Sequence, residues 1–123
     1  MTKFVYFENK NEINKELRSK IVVIKENIQN KQELFDLYST QLNFPEYFGK
    51  NWDALYDCMI DLSWINEDII IIIHNDIPLE NNTFEKNKYI QLLIDVLSFW
   101  DNKNNHLLKI AFPKVFESEI END

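Results

Sequence analysis

Residues 67–76 read Glu67-Asp68-Ile69-Ile70-Ile71-Ile72-Ile73-His74-Asn75-Asp76, five consecutive isoleucines closed in by carboxylates. A strand with one wet face alternates apolar and polar residues, whereas a run without alternation suits a strand buried on both faces of a largely parallel sheet. Five residues also fall far short of the roughly 20 that a membrane-spanning helix needs. Such a strand belongs in the sheet interior, since an all-isoleucine edge would invite aggregation, and Glu67, Asp68 and Asp76 act as gatekeepers at its ends.

Outward from this strand the chain alternates strands and helices. Residues 4–7 and 21–24 are short runs of aromatic or β-branched residues and read as strands. Between them, residues 12–20 are expected to form one or two helical turns with Ile13 and Leu17 on one face. Asn30 followed by Glu33 is a capping pair, and Leu34, Leu37, Tyr38 and Leu42 keep helical spacing, giving a helix over 31–42. Asn51 caps a second helix over 52–62, with Asp53 favourable beside the N-terminal dipole. Asn82 with Glu85 repeats the pattern before an apolar stripe of Ile90, Leu93, Ile94, Leu97 and Trp100, so a third helix is expected over 83–100. Residues 107–112 form the last strand, stopped by Pro113, and the acidic tail 117–123 is expected to fray. This order implies right-handed crossovers and one α/β domain over 1–123, with no repeat and no linker.

Composition agrees: 45% of the 123 residues are hydrophobic and 14% aromatic, too many for a disordered chain. The only cysteine, Cys58, excludes an internal disulfide and any multi-cysteine metal site. No apolar stretch resembles a signal peptide, so a cytoplasmic location is expected. Gly49 is the only glycine, where average usage predicts about nine, and that position is expected to need it.

The net charge of −8 argues against nucleic acid or an anionic membrane as partner. No Lys or Arg lies between Lys50 and Lys86, while Asp53, Asp57, Asp61, Glu67, Asp68, Asp76, Glu80 and Glu85 do. On a helix over 52–62, Asp53, Asp57 and Asp61 share one edge, while Trp52, Leu55, Cys58, Met59 and Leu62 form the packing face. Tyr56 and Ile60 border the acids. Like charges four residues apart cost an isolated helix a few tenths of a kcal/mol per pair, a strain that an external cation would relieve. The loop before the helix adds Glu46, Tyr47 and Phe48 around Gly49. Rings beside charges suit a binding surface, and they equally suit a lid on the core.

The stretch Phe44-Pro45-Glu46-Tyr47-Phe48-Gly49-Lys50-Asn51-Trp52-Asp53-Ala54-Leu55-Tyr56-Asp57-Cys58-Met59 closely resembles the signature of barstar-like ribonuclease inhibitors. In that signature Pro-Glu-Tyr-Tyr-Gly, Asn and Asp-Ala-Leu-Trp-Asp-Cys follow in order. The likeness runs without a gap over 21–59 and more loosely through the 69–73 strand, the third helix and the last strand. Residues 1–20 are additional, with room for an extra N-terminal strand. The resemblance implies a small, mainly parallel sheet with packed helices. It also implies an immunity protein or antitoxin, not an enzyme and without a cofactor, that plugs the active site of a ribonuclease toxin. A ribonuclease cleft is lined with cations because it binds a polyanion, so an acidic helix can occupy the phosphate positions.

Carried over by resemblance, Asp57 is the central acid in the phosphate site, Asp53 a flanking ion-pair partner and Tyr47 an aromatic contact to the catalytic base. Asn51 and Gly49 shape the loop, and Gly49 lets two backbones approach closely. Glu46, Tyr56 and Asp61 complete the expected face. Tyr56 stands where the family namesake has Trp, Lys50 replaces an acid and Trp52 replaces Leu. The reversed charge at Lys50 implies a different cognate nuclease. The namesake also uses a carboxylate late in the long helix, a position that falls at Phe99 or its neighbours here, with Asp95 and Asp101 the nearby candidates.

Two rivals stand beside this reading. One is a carboxylate-rich, metal-dependent hydrolase using Asp53, Asp57 and Asp61, but such a stripe splays over about 12 Å of helix and would need ligands from elsewhere. His74 and His106 sit at strand ends, where a lone histidine reads as a surface or capping residue, and Cys58 reads as a core thiol. The other is a barstar-like module that binds a non-nuclease protein.

Overall fold

A computed structural model of the chain describes residues 3–13, 18–46, 48–103 and 105–122. The elements are β1 (Val5–Phe7), β2 (Ser19–Ile24), α1 (Lys31–Gln41), α2 (Trp52–Met59), β3 (Ile69–His74), α3 (Thr83–Trp100), β4 (Leu107–Pro113) and α4 (Glu117–Glu121). The strands form one parallel sheet in the order β1-β4-β3-β2. The isoleucine strand is therefore internal, its Ile71 level with Ile21 on one side and Lys109 on the other.

Both faces of β3 are covered. Ile70 and Ile72 enter the main core with Leu34, Phe35, Leu55, Met59, Leu93 and Val96, whereas Ile71 and Ile73 join Phe7 and Ala111 in a smaller cluster against which Ile13 packs. The sheet edge at β2 is closed by a side chain. The Gln41 amide accepts from the Val23 N–H and donates to the Val23 carbonyl, both at 2.8 Å, filling the place of a further strand.

Three helices begin at an asparagine cap. Asn30, Asn51 and Asn82 accept from the backbone N–H of Glu33, Ala54 and Glu85 at 2.9, 2.7 and 3.1 Å. Each cap is worth about 1 kcal/mol.

Several expectations need correction. Of the helical turns expected over 12–20, residues 14–17 lie outside the described residues, and the residues on either side are not α-helical. A 3-10 turn spans Lys10–Glu12 under an Asn9 cap, and Ser19 and Lys20 already pair with Ile69 and Ile70 in β2. Leu17 lies outside the described residues. The second helix ends at Met59, so Asp61 sits in the following turn, where Leu62 takes a positive φ of 47°. Over 117–122 the tail does not fray: α4 buries Ile120, Glu119 accepts from Lys86 at 2.8 Å, and Tyr6 of β1 donates to Glu121.

His74 is a core residue rather than a surface one. It is fully buried and stacks on Phe112 with ring centroids 3.9 Å apart. The Ala111 carbonyl can only accept, so Nδ1 donates to it at 3.0 Å. Nε2 then accepts from the Tyr89 hydroxyl at 2.7 Å, and Tyr89 accepts from Tyr38 at 2.5 Å. This closed chain ties α1, α3, β3 and β4 together, and burial pushes the His74 pKa down to about 3. His106 is buried as well, with its ring nitrogens 2.8 and 3.1 Å from the Glu67 and Leu62 carbonyls. It does the capping expected of it, but from inside.

Candidate partner-binding face

The loop ahead of α2 is pinned from within. Phe44 and Phe48 are buried and pack edge-on at 5.0 Å, and Phe48 also meets Phe35 at 6.2 Å. Phe48 is thus core, while Glu46, Gly49 and Lys50 stay exposed. Tyr47 lies outside the described residues. Gly49 does not have positive φ. A Cβ built there would meet Asn51 Nδ2 at 3.5 Å and Ala54 Cβ at 3.6 Å, which is ordinary contact. The left-handed residue is its neighbour Lys50, at φ 53°. The expectation that this position needs glycine therefore has no basis in the chain's own geometry. The charge of Lys50 is also engaged, since Asp36 of α1 lies 3.1 Å from its Nζ.

The eight carboxylates between Lys50 and Lys86 are not equivalent. Asp68, Glu80 and Glu85 pair with Arg18, Lys86 and Lys31. Asp53, Asp57 and Asp61 are exposed, and among the described residues none of them pairs with a Lys or Arg. The acidic edge of α2 therefore presents uncompensated charge. Behind it, burial first and then the charges of Asp57 and Asp61 push the Cys58 thiol up, keeping it protonated and unreactive.

α2 and α3 leave an open groove of about 580 Å³ between them. Trp52, Asp53, Tyr56 and Asp57 line it from α2, and Lys88, Gln91, Leu92 and Asp95 from α3. Trp52, Tyr56 and Leu92 give it apolar walls, and three carboxylates rim it. Asp95 accepts from Gln91 at 3.0 Å. The two candidates on the long helix thereby separate: Asp95 joins Asp53 and Asp57, whereas Asp101 lines a different hollow beside Asp68 and His106. Asp61 also faces away, into a hollow shared with Ile60, Phe99 and Lys103.

α2 is fastened to α3 at both ends by indole groups. Trp52 Nε1 donates to Glu85 at 3.1 Å, and Trp100 Nε1 donates to the Met59 carbonyl at 2.8 Å. Among the described residues no three His, Cys, Asp or Glu side chains converge as a metal site would require, and no helix is long and apolar enough to cross a membrane.

A sequence model of the family described as Barstar (barnase inhibitor) matches residues 19–112. The chain belongs to the barstar family. Strands β2, β3 and β4 of the parallel sheet and helices α1 to α3 make up the barstar fold within the matched residues, and β1 and α4 are added on either side. A protein of Bacillus subtilis (strain 168) named "Putative ribonuclease inhibitor YrdF" is 32% identical over 56 residues, 46% of this chain and 59% of that protein. The match thus spans about three-fifths of that curated relative.

Proposed function

We propose that this barstar-family chain inhibits a ribonuclease by seating the acidic edge of α2 and the loop before it in the enzyme's cationic cleft. The observation that carries the proposal is the pair Asp53 and Asp57, exposed, without a cationic partner among the described residues, and facing Asp95 across a groove with aromatic walls. A cleft built to hold RNA phosphates supplies the missing cations. Asp57 takes the central phosphate position, Asp53 and Asp95 flank it, and Tyr56 excludes water beside it. Tyr47 meets the catalytic base, and Gly49 allows close backbone approach. Asn51 acts indirectly, since its side chain is spent on capping α2. Glu46 and Asp61 lie at the rim. The chain then serves as the cytoplasmic immunity protein of a ribonuclease toxin, protecting the cell that carries both.

The test is RNA hydrolysis by a panel of purified microbial ribonucleases, barnase and any ribonuclease encoded beside this chain included, titrated with the protein. Stoichiometric inhibition of one of them is the expected result. Full activity of every enzyme at excess inhibitor, with complex formation instead to a protein that is not a nuclease, would overturn the proposal.

A further inference from the structure

The contact between Trp52 and Glu85 is unusual for a groove residue, because it points inward. Trp52 opens α2 and donates its indole N–H to Glu85 Oε2 at 3.1 Å, and Lys31 Nζ lies 3.4 Å from the same oxygen. Lys31 is the first residue of α1, and Glu85 is in the first turn of α3. One carboxylate oxygen therefore joins the N-terminal turns of three helices. The Glu85 side chain is only 16% exposed, against 46% for Lys31, so it is poorly placed to meet a partner itself. Holding a carboxylate that far from water is unfavourable unless its bonds compensate.

Trp52 passes this restraint to the candidate site. Its ring stands edge-on to Phe35 at 5.0 Å and tilted against Tyr89 at 6.2 Å, while another part of it lines the groove beside Asp53 and Asp57. α2 has eight residues, and a helix of two turns has little surface with which to resist rotation about its own axis. Its C-terminal end is held by Trp100, and at the other end the bond to Glu85 adds a directional restraint to the Trp52–Tyr89 ring contact against α3.

We propose that Glu85 is a positioning residue for partner binding: through Trp52 it sets the rotation of α2 so that Asp53 and Asp57 stand at a fixed spacing from Asp95 across the groove. This rests on the reading of α2 as the ribonuclease-facing helix. Charge pairs in a closed cleft depend steeply on geometry, so a carboxylate that must be reoriented on binding weakens the complex without removing any contact group.

The experiment measures affinity for the ribonuclease inhibited in the panel above, for Glu85→Ala, Glu85→Gln, Trp52→Phe, the double variant Glu85→Ala/Trp52→Phe, and Asp57→Ala. Glu85→Ala and Trp52→Phe should each weaken binding about tenfold, and the double variant should be no weaker than the weaker single, since both remove the same bond. Glu85→Gln should bind close to the parent, because its amide oxygen still accepts from the indole N–H. In the free proteins, the Trp52 indole N–H resonance should move in Glu85→Ala and stay in Glu85→Gln. Equal losses for Glu85→Gln and Glu85→Ala would show that only the charge matters and overturn the proposal. So would parent-like affinity of Glu85→Ala alongside a large loss for Asp57→Ala, which leaves the reading of α2 standing. No loss for Asp57→Ala overturns that reading and the proposal with it. Should Glu85→Ala fail to fold, parent-like affinity of Trp52→Phe is the overturning result.

Discussion

Acidification should destabilise this protein through one residue, His74, before its carboxylates are protonated. The imidazole is fully buried, donates to Ala111 and accepts from Tyr89, so a second proton would put a charge in a dry core and displace the Tyr89 O–H from Nε2. Burial lowers its folded pKa from 6.5 to about 3. The depressed value fixes the sign: the contribution is fully present above pH 6.5 and is lost as pH falls, because the unfolded chain takes up a proton that the folded chain refuses. At 1.36 kcal/mol per pH unit, the loss between pH 7.5 and pH 5 is about 2 kcal/mol, and it continues toward pH 3. Urea unfolding of the parent and of His74→Gln at pH 7.5, 6 and 5 isolates this contribution, since the other titrating groups are common to both. The parent should lose about 2 kcal/mol more than the variant over that interval. A histidine ring resonance for His74 that titrates between pH 7 and 5 in the folded protein, or parallel stability profiles for the two proteins, would show that His74 is not held neutral by burial.

Three further outcomes follow from the geometry. Gly49→Ala should melt within about 1 °C of the parent, because the added methyl meets only ordinary contacts, yet it should weaken the complex if the partner's backbone passes there; unchanged affinity would remove Gly49 from the interface. Association with the ribonuclease should slow at least about tenfold between 50 and 500 mM salt, as stopped-flow mixing would show, because the α2 carboxylates, which have no Lys or Arg partner among the described residues, steer a cationic cleft. In native-state hydrogen exchange, the amides of Ile70 to Ile73 should be among the slowest, while Glu119 and Glu121 of α4 exchange faster. Equal protection would contradict the central place of β3.

The elements most legible in the sequence were those whose cause is local. Five isoleucines without alternation suit a strand covered on both faces, and the structure pairs them on both sides and buries all but Ile69. Asn30, Asn51 and Asn82 announce helix starts because a cap is a contact between residues three apart. What the sequence concealed depends on distant partners. The tail 117–123 reads as solvent because its acids are visible and its anchors, Lys86 and the core beneath Ile120, are not. His74 reads as a strand-end polar residue because the hydroxyls that satisfy it come from Tyr89 and, through it, Tyr38.

The candidate site divides in the same way. That Asp53 and Asp57 share one exposed edge follows from helical spacing alone. Asp61 was read onto the same helical edge, since nothing local showed that the helix ends at Met59 and Leu62 turns left-handed. Lys88, Gln91, Leu92 and Asp95 share an arc of about 100° on α3, so their grouping was available from periodicity. Which way that arc faces was not, because the crossing of α2 and α3 is set by packing between them. Glu85 was read as a capping residue and one of the eight acids, and its bond to Trp52 spans 33 positions.

In the proposed complex the acidic edge of α2, centred on Asp57, is what enters the ribonuclease. This placement is tested most directly by the affinities of Asp57→Ala and Asp61→Ala for the inhibited enzyme, taken with their melting temperatures. Asp57 borders the groove beside Tyr56, where docking excludes water, and its removal leaves cations of the cleft unpaired. Its loss should cost about 2–5 kcal/mol, chiefly in faster dissociation, a range drawn from measured interfaces, the namesake family's among them. Asp61 faces the other hollow and, as a rim charge, should cost about 1 kcal/mol or less. Both variants should melt near the parent. Equal and small losses in two well-folded variants would contradict the account.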